Sequence, residues 1–239
     1  MNAPVLNGIN LSKRFGGVQA LSNVSIELGA QAPVTTVIGP NGAGKTTLLN
    51  LLCGALPQDD GTVEFEGTDI SGTRMRQRMR MGIARTFQHT GIFRRLTPRE
   101  HFTLMARDLG SDGRWHSIEQ LLDAFNLSAF ADTPAESLNH VSQRLLEIGM
   151  IVSASPAVLM LDEPTAGMDL AETAQIAALV RQLREVMKLM IIEHDIDFVL
   201  DISDHIIVLD QGNVIARGTP EEVQRDEAVA AAYMRRGYR

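Results

Sequence analysis

Gly39-Pro40-Asn41-Gly42-Ala43-Gly44-Lys45-Thr46-Thr47 decides how this chain is read. The apolar run Val34-Thr35-Thr36-Val37-Ile38 enters it with a buried-strand pattern, and Leu48-Leu49-Asn50-Leu51-Leu52 leaves it with a helical one. Strand, glycine-rich turn and helix around G-x-x-x-x-G-K-T form a phosphate-binding loop of the Walker A type. The chemistry accounts for the residues. Backbone N–H groups converge on phosphate oxygens only where side chains do not intrude, which calls for Gly39, Gly42 and Gly44. The helix that follows points its positive end at the anion. Lys45 supplies a mobile charge for the outer phosphates, and the Thr46 hydroxyl suits Mg²⁺.

A second apolar run, Ala157-Val158-Leu159-Met160-Leu161, ends in Asp162-Glu163-Pro164. Many helices open with apolar residues followed by Asp-Glu. Joined to a phosphate loop, the pair reads as a Walker B element. Asp162, at the carboxyl end of a strand, holds Mg²⁺ through water beside Thr46. Glu163 faces the γ-phosphate and accepts a proton from attacking water.

The 239 residues suit one large domain, or a core with a smaller subdomain, and 44% hydrophobic content is ample for its interior. A net charge of −7 argues against nucleic acid as the main partner. No apolar run approaches the ~20 residues of a membrane span. Met1-Asn2-Ala3-Pro4 has neither the basic nor the apolar region of a secretory signal. A single cysteine, Cys53, rules out an internal disulfide. The expectation is a soluble cytoplasmic protein that meets a membrane only through a protein partner.

Val5 to Leu11 and Val24 to Leu28 read as strands, with Lys13-Arg14-Phe15-Gly16-Gly17 as a loop between them. Val63-Glu64-Phe65 alternates like another strand, and Arg74 to Arg80 reads as a short helix with a solvated basic face. From about 100 to 150 helical patterns dominate, with Ile118, Leu121, Leu122 and Phe125 on one face, which suggests an inserted helical subdomain. Ile176, Leu179, Val180, Leu183 and Met187 line a later helix, and Met190-Ile191-Ile192 is a buried strand closing on Glu193-His194-Asp195. Gln211-Gly212-Asn213 signals a hairpin between 206–209 and 214–216. Thr219-Pro220-Glu221-Glu222 starts a capped helix. Strands alternating with helices imply a mainly parallel sheet in an α/β domain.

With these motifs in this order, the chain resembles the ATP-binding subunits of ABC transporters over nearly its whole length. The resemblance implies the P-loop NTPase fold of ABC ATPases: a mainly parallel core with an antiparallel β subdomain (about 1–88 and 152–239) and a helical subdomain (about 89–151). It implies ATP and Mg²⁺ as cofactors, held at Gly39, Pro40, Asn41, Gly42, Ala43, Gly44, Lys45, Thr46 and Thr47, with Thr46, Gln88 and Asp162 at the metal. Arg85-Thr86-Phe87-Gln88 looks like the Q-loop, so Gln88 reaches Mg²⁺ and the attacking water. Ala166-Gly167-Met168-Asp169 looks like the D-loop that links two sites of a dimer. His194 looks like the switch histidine at the γ-phosphate, and Phe15 falls where the family stacks an aromatic on adenine. Read without the family, His194 is a satisfied polar residue at a strand end and Phe15 a core side chain. Lys13 to Val18, Ala84 to Gln88, Leu146 to Ile148, Ile192 to Asp195 and Ala216 to Pro220 resemble importer subunits for branched-chain amino acids and their urea and amide relatives. The implied partners are a second ATPase subunit, transmembrane permease subunits and, indirectly, a solute-binding protein. The implied location is the cytoplasmic face of the cell membrane.

One segment departs from the family. Aligned on Asp162, the signature window is Leu138-Asn139-His140-Val141-Ser142, where the family has Leu-Ser-Gly-Gly-Gln or a near variant. Asn139 stands in place of the serine that meets the γ-phosphate, Val141 in place of the second glycine, and Ser142 in place of the glutamine. A branched Cβ where backbone should touch the anion predicts a poorly competent site. That leans toward a heterodimer with one damaged and one complete site. An alternative is a nucleotide-binding subunit with little hydrolysis and a regulatory or structural role. A soluble cassette acting on DNA or ribosomes fits less well, since the chain has one cassette, no heptad run and an acidic balance.

Overall fold

The computed structural model describes residues 5–29, 32–86, 91–105 and 115–234. The chain opens with β1 (Leu6–Phe15), β2 (Val18–Leu28) and β3 (Val34–Ile38), enters α1 (Lys45–Leu52), and returns through β4 (Asp60–Phe65) and β5 (Thr68–Asp69). Helix α2 (Met75–Met81) and β6 (Ile83–Arg85) precede three helices, α3 (Pro98–Met105), α4 (Ile118–Ala124) and α5 (His140–Val152). Strand and helix then alternate through β7 (Val158–Asp162), α6 (Leu170–Leu183), β8 (Lys188–Ile192), α7 (Ile196–Ile202) and β9 (His205–Asp210). β10 (Asn213–Gly218), α8 (Pro220–Gln224) and α9 (Glu227–Met234) follow.

Two sheets result. The first is antiparallel, in the order β2-β1-β4-β5; the second runs β10-β9-β3-β8-β7-β6. In the second, every pairing from β9 across to β6 is parallel, and only the β9–β10 hairpin is antiparallel. Strands β3 and β7 are buried at every position, which is why they read as unbroken apolar runs. Alternation then divides the side chains of β7 and β8 between two cores. Leu159, Leu161, Leu189 and Ile191 face the helices α4, α5 and α6. Val158, Met160, Met190 and Ile192 face α1 and the antiparallel sheet. Helix α1 is thereby packed between the two sheets through Leu48, Leu49, Leu51 and Leu52, all 0% exposed.

Three local expectations need correction. Lys13–Phe15 is strand, not loop. β1 continues to Phe15, paired with Val18, and register shifts after Gly8, Leu11 and Lys13 break the alternation that would have revealed it. Met187 is buried but lies beyond α6, in the turn before β8. The basic face of α2 is not wholly solvated either. Arg78 is 1% exposed and donates to the carbonyls of Leu51, Leu52, Ile70 and Ser71, so its charge caps the carboxyl end of α1.

Candidate functional site

The loop 39–47 links β3 to α1, and two of its glycines are fixed by close approaches. At Gly39 (φ 147°) a Cβ would lie 2.0 Å from the Leu209 carbonyl oxygen, and at Gly44 (φ 104°) 2.5 Å from that of Ala20. The loop is therefore pressed between β2 and the end of β9. The β9–β10 turn adds a brace: Gly212 N–H donates to Ala43 O (3.0 Å), and Ser22 N–H to Gly212 O (2.8 Å). Lys45 is buried and its Nζ donates to the carbonyls of Gly39 (2.6 Å) and Pro40 (3.2 Å), so the ammonium lies inside the curve of the loop. Asn41, Gly42 and Thr46 are exposed and Thr47 half-buried. A cleft of about 250 Å³ is lined by residues 41–47, by Val18, Gln19 and Ala20, and by Glu163. Phe15 is 48% exposed, with Lys13 Nζ 5.9 Å from its ring centroid. It is therefore not a core side chain.

Asp162 ends β7 with its side chain 1% exposed. Its Oδ2 is buried with no hydrogen-bond partner, and the Arg85 guanidinium stands 3.6 Å away. Burial pushes the carboxyl above its ordinary range; Arg85 pulls it down, Glu163 pushes it up, and Arg144 and Lys45 pull it down. An unsatisfied buried carboxylate oxygen is costly in a folded protein and marks a place for a cation. Among the described residues there is no cluster of three or more His, Cys, Asp or Glu that could hold a metal alone. One carboxylate and one hydroxyl, completed by phosphate and water, is the donor set that Mg²⁺ favours. Asp162 and Thr46 fit it. Gln88 and Phe87 lie outside the described residues.

Glu163 takes a left-handed backbone (φ 46°), a conformation costing about 1–3 kcal/mol for a residue with a Cβ. Its N–H donates to Ile192 O (2.9 Å), and its side chain is turned toward the cleft, 37% exposed. His194 is 55% exposed, its Nδ1 3.9 Å from Glu163 Oε1 and 3.6 Å from Glu193 Oε2. Those separations are too long for hydrogen bonds, which leaves the exposed imidazole to solvent. The strand ends thus bring Lys45, Asp162, Glu163 and His194 to one edge of the sheet, because β3, β7 and β8 are parallel neighbours.

The segment 138–142 answers the sequence expectation in part. Asn139 caps α5, its Oδ1 accepting from Ser142 N–H (2.8 Å). Val141, however, is 2% exposed and packed in the helical core, so its Cβ does not cover the exposed end of the helix. The steric reason for an impaired site fails there; of the departures, Asn139 is exposed, while Val141 and Ser142 are buried.

Several residues at the site were not singled out from sequence. Arg85 links three parts: NH1 donates to Asn50 Oδ1 of α1, Nε to Thr86 O (3.0 Å), and NH2 faces Asp162. A lone arginine in the buried strand Ile83-Ala84-Arg85 is the signal that could have found it. Arg144, on α5, donates to Asp162 O (3.1 Å) and pairs with Glu147 (2.7 Å). Gln19 and Ala20 line the cleft without any motif to announce them.

The family model for ABC transporters matches residues 21–166, and one for branched-chain amino acid ATP-binding cassette transporters matches residues 213–234. The chain is 36% identical over 253 aligned residues to the high-affinity branched-chain amino acid transport ATP-binding protein LivG of Salmonella typhimurium, covering 98% of this chain and 99% of that one. It is 32% identical to the lipopolysaccharide export system ATP-binding protein LptB of Haemophilus influenzae, covering 96% and 97%. Among solved structures, the ADP conformation of MJ1267, an ATP-binding cassette of an ABC transporter, superposes with a TM-score of 0.85 at 31% identity, covering 98% and 99%.

Proposed function

The chain belongs to the ABC transporter family of ATP-binding cassettes and is an ATPase of that family, and from that premise we propose that it energises an importer for branched-chain amino acids. The observation that carries this reading is the end-to-end similarity to LivG, joined to the match at 213–234. The partners are permease subunits in the membrane, a second cassette and, on the far side, a solute-binding protein. The chain sits at the cytoplasmic face as a peripheral subunit; no helix among the described residues is long and apolar enough to cross a membrane. Residues 89–151 act as the helical subdomain. The similarity to an export ATPase makes solute and direction the points to test. In vesicles carrying the chain with its permease and binding protein, ATP should drive accumulation of leucine, isoleucine or valine, and Lys45→Ala should abolish it. ATP-driven movement of another solute, or outward movement, would overturn the assignment.

Phosphates of ATP lie along the amides of residues 39–47, with adenine against Phe15. Lys45 leaves its carbonyl partners for the outer phosphates. Thr46, Asp162 and Gln88 would hold Mg²⁺, which when bound would neutralise phosphate charge. Glu163 accepts the proton of the attacking water, and His194 donates to the γ-phosphate. Glu163→Gln is expected to trap ATP-bound dimers; unchanged turnover in the assembled transporter would remove Glu163 from this role.

We also read the dimer as asymmetric, with segment 138–142 completing the weaker site. Support comes from Asn139, whose amide replaces the family's serine hydroxyl at an exposed helix end. Asn139→Ser should raise ATPase of the chain alone, while Val141→Gly, a core change, should not. Equal and robust rates for the parent and Asn139→Ser would sink the asymmetry.

A further inference from the structure

Glu193 follows the last residue of β8 and is 0% exposed. Oε1 accepts from the Thr165 N–H (2.9 Å) and the Thr165 hydroxyl (2.5 Å); Oε2 accepts from the His194 N–H (3.0 Å). Among the described residues its only ion contact is His194, at 3.6 Å. A carboxylate held this deep without arginine or lysine is stabilised by the donors it collects, and these come from two segments. One is the turn from Glu163 into Ala166–Asp169, closed by Ala166 N–H to Glu163 O and Met168 N–H to Thr165 O. The other is the backbone of His194 itself. Glu163 N–H to Ile192 O ties the same segments one step earlier, so 163–165 and 192–194 are joined at two levels.

We propose that Glu193 is a positioning residue that locks the turn bearing Glu163 to the backbone of His194, so that the base and the histidine reach the γ-phosphate in one arrangement. Because the stretch 166–169, exposed at Ala166, Gly167 and Asp169, continues directly from Thr165, displacement of that stretch by a facing subunit is transmitted through Thr165 and Glu193 to His194. The inference rests on the roles given above to Glu163 and His194.

Glutamine at 193 keeps the volume but sets an NH₂ against one N–H donor, opening one side of the clamp. In the assembled transporter, Glu193→Gln should lower kcat about 10-fold with KM for ATP and nucleotide affinity within about twofold. Thr165→Val, which keeps the backbone bond and loses the hydroxyl, should lower kcat about 3-fold, and Thr165→Ser should restore it. The double variant Glu193→Gln with Thr165→Val should be no slower than Glu193→Gln alone, as for residues in one network. Parental kcat in Glu193→Gln, multiplicative losses in the double variant, or a loss shared by nucleotide affinity and melting temperature would overturn the proposal. If Glu193→Gln does not fold, Thr165→Val decides, and a parental rate there overturns it as well. His194→Ala in the same assay separates the two readings. Parental turnover in His194→Ala breaks the role of the histidine, whereas an inactive His194→Ala beside a normal Glu193→Gln breaks only the clamp.

Discussion

Strands β7 and β8 lie side by side in parallel, Asp162 opposite Ile192, and each delivers a buried carboxylate at its carboxyl end. Asp162 keeps one oxygen without a hydrogen bond, faced at a distance by Arg85. Glu193 has both oxygens occupied by donors of the protein. The same chemical group, at nearly the same depth, is left wanting in one strand and satisfied in the next. A carboxylate the fold does not satisfy is held for something that arrives, and one the fold satisfies holds the fold in place. The two end neighbouring strands, each followed by one residue, Glu163 or His194, expected from sequence at the γ-phosphate.

The sharpest way to break this contrast is Asp162→Asn. Burial raises the carboxyl of Asp162, so the folded chain binds its proton more readily than the unfolded chain does. Stability from this group is then present at low pH and lost as pH rises from the unfolded value through the raised folded one. A neutral isostere escapes that loss. Asp162→Asn should raise the melting temperature of the nucleotide-free protein while lowering ATP turnover about 10³-fold, through loss of the magnesium position. A lower melting temperature would mean that the Asp162 carboxylate is satisfied within the fold.

Arg78 is the cationic counterpart of Glu193, fully buried and satisfied by carbonyls of the protein. Arg78→Met keeps much of the bulk but strips the partners from Leu51, Leu52 and Ile70, and should cost about 3 kcal/mol in denaturant unfolding. A change below about 0.5 kcal/mol would mean that water replaces the guanidinium without penalty.

The smallest effect is expected at His205. Burial, then Arg217, lowers its pKa, with Glu222 acting the other way. The unfolded chain therefore binds the proton first as pH falls, and stability contributed above the ordinary histidine value declines toward the lowered one. Between about pH 7 and 5.5 the parent should lose stability more steeply than His205→Gln. Parallel curves would show that burial of this imidazole is not felt.

Much of the site was legible because its chemistry is local. Nine residues carry the phosphate loop, and Asp162-Glu163 follows a fully buried strand, whose apolar run gains its meaning once it is joined to that loop. What stayed hidden depends on distant partners. Arg78 sits in a run of arginine and methionine that looks solvated until α1 and the turn at Ile70 close over it. Lys13–Phe15 looked like loop because bulges in β1 break its alternation. Val141 was expected to press on the anion, but the rotation of α5 turns it into the core, and helix rotation is set by packing rather than by the motif. Glu193 stood in plain view beside His194, yet its purpose depends on Thr165, which arrives from the neighbouring strand.

The grip of Leu209 and Gly212 on residues 39–47 has a consequence for biosynthesis. The phosphate loop is made early, but the carbonyl that crowds Gly39 and the amide that holds Ala43 emerge from the ribosome only after most of the chain. A nascent chain stopped ahead of β9 carries the whole nucleotide motif without its clamp, and its ends must close over a long intervening loop before the fold is complete. The loop 39–47 thus gains its last backbone brace only when the β9–β10 turn is in place.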